Sequence, residues 1–136
     1  MSHTRFMLQV LVAVIASLLM GDALAQSASL NYYVRVEAVG KTNMIQSRAN
    51  IAWDAEFVEY CGGFRYVFSP TRQSDDKKSG VMTFQIFLDK RHASPDEIVV
   101  PLFTQEIPFD AGLPRELSFK DDSVDIELSF VLSDQR

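Results

Sequence analysis

The chain is short of the residue types that carry most protein chemistry. Its 136 residues include one cysteine, Cys61, and two histidines, His3 and His92. A lone thiol cannot close a disulfide within its own chain, and zinc or copper sites need several imidazole or thiolate ligands at recognisable spacing. Nucleophilic triads need a base of near-neutral pKa, and one histidine in a polar stretch does not supply that arrangement. The expectation is a protein that is not an enzyme and holds no cofactor. Positive charge is scarce as well: 13 Lys+Arg against 18 Asp+Glu give a formal net charge of -5. Lys77-Lys78 and Lys90-Arg91 lie in separate polar stretches and form no stripe that tracks phosphates, so a nucleic-acid partner is not expected. Amphipathic helical spacing and internal repeats are also missing.

Carboxylates are the one reactive type present in quantity. Asp121, Asp122, Ser123 and Asp125 gather hard oxygen ligands within one turn, but the stretch DDSVDIE has neither the central glycine nor the length of an EF-hand loop. Asp and Ser are ordinary turn residues, and no metal site is expected there. A glycosidase pair is set by folding, and the spacing of these residues singles out no such pair.

What is present begins with a leader. Arg5 precedes an apolar stretch from Phe6 to Met20, and Ala23-Leu24-Ala25 follows with small residues where a signal peptidase needs them. The stretch holds Gln9 and Ser17 and falls short of the roughly 20 apolar residues that span a bilayer. Residues 1–25 are therefore expected to be a signal peptide, removed to leave residues 26–136 as a single periplasmic or secreted domain without stable membrane insertion. Gln26 stands where a lipoprotein would carry cysteine.

In residues 26–136 apolar side chains alternate with polar ones, the period of a half-buried strand. Tyr32, Val34, Val36 and Ala38 share one face, and Ile45, Ala49, Ile51 and Trp53 share another after a turn over Gly40–Asn43. Glu56–Tyr60 and Phe64–Phe68 flank Cys61-Gly62-Gly63, where paired glycines suit a tight reversal. Pro70 is expected to stop that strand. Val81–Leu88 alternates with Met82, Phe84, Ile86 and Leu88 inward, and Ile98–Phe103 is expected to be an edge strand because Pro101 removes a ladder donor. Pro108, Gly112 and Pro114 break the next stretch, and Glu116–Lys120 with Val124–Leu132 closes the chain as a hairpin. Short strands separated by Gly, Pro and Asp turns predict an all-β, antiparallel sandwich of about seven strands, immunoglobulin-like, with a small barrel as the alternative.

A domain without a reactive motif points to binding. Tyr33 follows Tyr32, and Phe87 lies between Ile86 and Leu88, so each is expected on the outward face, where apolar area invites a partner. The candidate interaction surface is Tyr33, Phe87, Ile98, Val100 and Phe103. The expected partner is another exported or cell-envelope protein, engaged through a strand edge or an exposed aromatic face, as an assembly accessory or inhibitor would do. A carbohydrate or small ligand held in an aromatic-lined cleft is the alternative. Cys61 has three readings: a small buried residue at a strand end, an intermolecular disulfide in an oxidising compartment, or a redox thiol that no neighbouring base supports.

Overall fold

The structure, a computed structural model, describes residues 27–73, 78–90 and 99–134; the leader, His92 and Ile98 lie outside these. The strands are β1 (Ser27–Ala38), β2 (Lys41–Ala52), β3 (Phe57–Cys61), β4 (Phe64–Arg72), β5 (Ser79–Leu88), β6 (Phe103–Asp110), β7 (Arg115–Lys120) and β8 (Val124–Asp134). They form two four-stranded antiparallel sheets, in the orders β2-β1-β8-β7 and β3-β4-β5-β6. The alternation does what its period requires: Leu30, Tyr32, Val34 and Val36 on β1 and Ile126, Leu128, Phe130 and Leu132 on β8 are all buried between the sheets. Facing them are Phe64, Tyr66, Phe68, Met82, Phe84 and Ile86 from β4 and β5.

Turn chemistry sets the registers. Ala38 pairs with Lys41, leaving a two-residue reversal at Val39-Gly40, shorter than the expected Gly40–Asn43 turn. Both residues have positive φ, 49° and 74°, the type I′ geometry whose twist matches that of the flanking strands. Gly62 and Gly63, at 63° and 85°, repeat the device between β3 and β4. Cys61 is the last residue of β3, paired with Phe64.

Two prolines do not end strands as expected. β4 continues past Pro70 to Arg72, with Pro70 paired to Met82. The Pro70 carbonyl accepts a hydrogen bond from the Asp54 amide at 2.7 Å, on the side where β3 has not yet begun. Nitrogen and carbonyl of one strand residue point to the same side, so the missing N–H of Pro70 leaves no ladder bond unmade. Pro108 sits inside β6, the edge of its sheet, and its nitrogen faces away from β5 for the same reason. The edge strand expected at Ile98–Phe103 is therefore displaced: residues 99–102 are not strand, and β6 starts at Phe103. The sandwich has eight strands, against about seven expected.

Each strand pairs only with strands adjacent to it in the chain, except that β1 also pairs with β8. The strands thus follow a ring, 1 to 8 and back to 1, opened along two seams, β2/β3 and β6/β7. These connections are those of a meander, whereas an immunoglobulin sandwich is joined by Greek-key connections. Each seam is plugged by side chains. Phe103 and Phe119 meet at 5.2 Å across β6/β7, and Asn43 reaches from β2 to Tyr66 and Cys61 across β2/β3. Between the seams runs an aromatic spine, Phe57, Tyr32, Phe68, Phe84 and Phe103, with successive centroids 4.8–6.3 Å apart. Most aromatic residues are therefore core.

Candidate functional site

Sheet edges and outer faces are what this fold leaves for recognition. Four strands are edges: β2, β3, β6 and β7. Natural edges resist unwanted pairing by being short, charged or interrupted by proline. β3 has only five residues and includes Glu59, β7 has six with Arg115, Glu116 and Lys120, and β6 carries Glu106 and Pro108. β2 is different: twelve residues, KTNMIQSRANIA, with no proline and no charge between Lys41 and Arg48.

The direction of the β2 backbone groups follows from its turn. The closing pair of a two-residue hairpin, here Ala38 and Lys41, is hydrogen-bonded, and bonded and non-bonded pairs then alternate. Asn43, Ile45, Ser47 and Ala49 accordingly bond to β1. Thr42, Met44, Gln46 and Arg48 direct their N–H and C=O groups to the far side, where no strand of the described residues pairs. Met44 is 61% exposed, while Ile45 packs partly against the core.

Tyr33 lies beside this edge. It is half-buried on the outer face of β1, opposite Gln46 on β2 and Ser129 on β8. β1 is internal to its sheet, so Tyr33 offers a face and not an edge. Next to it Arg35 is held by Asp125 at 3.1 Å and Glu127 at 3.4 Å, which makes this end of the face polar.

The remaining candidate residues scatter. Phe87 does leave the outer face of β5, but it is only 9% exposed, because the Arg65 guanidinium lies over its ring at 4.2 Å. Phe103 turns inward and is buried against Phe84 and Phe119, so it offers no surface. Val100 is exposed in a segment without strand structure, and Ile98 lies outside the described residues. Tyr33, Phe87, Val100 and Phe103, the described four, do not form one surface. Arg65, beside Phe87 across the sheet, and Tyr60, on the far side of Arg65, were not singled out by the sequence; the only signal was an arginine in the outward phase of an aromatic strand, and its neighbours depend on register.

Cys61 is half-buried and unpaired, its Sγ 3.9 Å from Asn43 Oδ1. It joins a polar cluster at the β2/β3 seam. Asn43 Nδ2 donates to the Tyr66 hydroxyl at 2.7 Å and to the Cys61 carbonyl at 3.3 Å. Burial pushes the Tyr66 hydroxyl up to about 12, tempered by that hydrogen bond. Burial likewise raises Tyr32, tempered by Ser47 opposite it, but its hydroxyl is buried with no hydrogen-bond partner of good geometry. The acidic turn is engaged locally: Asp121 Oδ1 accepts from the amides of Ser123 and Val124 at 2.7 and 2.8 Å. No group of three His, Cys, Asp or Glu among the described residues converges to hold a metal ion. Comparison with protein-family models, with curated proteins and with solved structures gives no match.

Proposed function

We propose that the chain is a non-enzymatic, exported protein-interaction module, an assembly accessory or inhibitor, that adds a strand of its partner to the free edge of β2. One observation carries the reading: β2 is a twelve-residue edge with neither proline nor charge over Thr42–Ser47, whereas the other three edges are short, charged or interrupted. Backbone hydrogen bonds give such a contact its affinity, and alternate side chains give it specificity. Met44, Gln46 and the neighbouring Tyr33 supply those side chains on the outer face. The partner is another exported or cell-envelope protein.

A photo-crosslinking side chain at Gln46, tested beside the same group at Thr104 on β6 and Glu116 on β7, checks the reading in the exported fraction of the producing cell. The expected result is a protein adduct from position 46 alone, lost when Met44→Pro removes one outward donor while sparing the bonds to β1. Adducts from β6 or β7 with none from β2, or an adduct that survives Met44→Pro, would overturn it.

A further inference from the structure

The β2/β3 seam holds a carboxylate that neither sheet uses. Phe57, Glu59 and Cys61 of β3 share the inward phase of their partners Phe68, Tyr66 and Phe64 on β4. Asn43, Ile45 and Ser47 are the inward residues of β2. Two contacts fix how these rows face each other. At one end Asn43 Nδ2 donates to the Cys61 carbonyl at 3.3 Å. At the other, Tyr32, the direct partner of Ser47, packs against Phe57 with ring centroids 6.1 Å apart. Ile45 and Glu59 are the residues between, so Glu59 lies across the seam from Ile45.

Glu59 is half-buried, and its carboxylate takes part in no ion pair or hydrogen bond among the described residues. Lys41 is the one cation in the inward phase of β2, and it carries its Nζ to the β3–β4 turn, 2.9 Å from where a Cβ on Gly63 would sit. Burial is the main cause that raises the Tyr32 hydroxyl and Ser47 lowers it, while the Glu59 charge raises it further, as a carboxylate close to the seam should. A carboxylate partly withdrawn from water, with no cation beside it, lacks the pairing that offsets its lost hydration.

A strand added to β2 places alternate side chains over this seam. Residues directly opposite each other on neighbouring strands share a face, so the residue opposite Ile45 points inward, toward Glu59. Ile45 directs its own N–H and C=O to β1, which makes this a non-bonded pair, the kind whose side chains lie closest. We propose that the added strand carries a lysine or arginine at this position and that its charge pairs with Glu59. The molecule as a whole favours such a strand, since a formal net charge of -5 attracts a basic partner from a distance. The inference rests on the β2 reading and names the chemistry of its partner.

Photo-crosslinking from Gln46 in the exported fraction, at subsaturating protein, separates the two. Absence of an adduct with Glu59 intact overturns both. Where the adduct forms, Glu59→Gln should lower its yield about tenfold. Glu56→Gln, which removes an equal charge from an exposed position outside β3, should leave the yield unchanged, and fluorescence of the buried Trp53 reports that each variant is folded. Peptide mapping of the adduct should find a lysine or arginine next to the crosslinked residue. Exchanging that residue for glutamate should abolish the adduct, and Glu59→Lys should then restore it. An unchanged yield with Glu59→Gln, an equal loss with Glu56→Gln, or no basic residue beside the crosslinked position would overturn this inference and leave the edge reading standing.

Discussion

At the scale of single residues, the two buried tyrosines of the β2/β3 seam differ in one respect. Tyr66 has its hydroxyl bonded to Asn43, whereas the Tyr32 hydroxyl has no partner of good geometry. A buried polar atom left unsatisfied costs more than its hydrogen bond would gain, so the two deletions have opposite signs. Tyr32→Phe should stabilise the fold by about 1 kcal/mol, and Tyr66→Phe should destabilise it by about 1 kcal/mol, both read from urea denaturation. Equal effects of the same sign would show that the two hydroxyls share one environment. Legibility at this scale was uneven. The inward phase of Tyr32 and Tyr66 follows from alternation alone, while whether each hydroxyl finds a partner depends on which side chains reach it across the seam, and that is written nowhere in the local sequence. Phe87 shows the same limit: its outward phase was readable, its cover by Arg65 was not, because the cover belongs to the β4–β5 register.

Among the elements, the β1–β2 hairpin contains a mismatch between residue and turn. Type I′ geometry needs positive φ at both central positions, and the first is a β-branched valine, Val39, 56% exposed. Val39→Asn keeps the turn and relieves the left-handed strain, and it should raise stability by about 1 kcal/mol in the same denaturation assay. A loss of stability would mean that the valine makes a contact worth more than the strain. The strands themselves were legible wherever alternation was long: β1, β5 and β8 lie where the pattern puts them. The errors fell at Pro70 and Pro108, because a proline ends a strand only when its nitrogen faces a paired neighbour, and which side is paired is a property of the sheet. Misreading Pro108 also displaced the edge strand to Ile98–Phe103, where apolar residues run without a ladder partner.

For the whole molecule, burial of tyrosine couples stability to alkaline pH. The unfolded chain releases the Tyr66 proton near the ordinary value of 10.0, the native state only near 12, and Tyr32 is shifted in the same direction. The native state then holds protons that the unfolded state has lost, so stability is complete below pH about 10 and falls progressively toward pH about 12. Urea midpoints across that interval check the sign, and Tyr66→Phe should flatten the slope. Sandwich and barrel could not be separated by alternation, since both have the same period; the strands follow a barrel's ring order, and the two seams that open it create the edges on which the functional reading rests. The most direct test of that reading is residue-resolved amide exchange along β2. An open edge predicts alternation, with Asn43, Ile45, Ser47 and Ala49 protected by β1 and Thr42, Met44, Gln46 and Arg48 exchanging rapidly. Uniform protection of all eight amides would show that this edge is already covered, and would contradict the account.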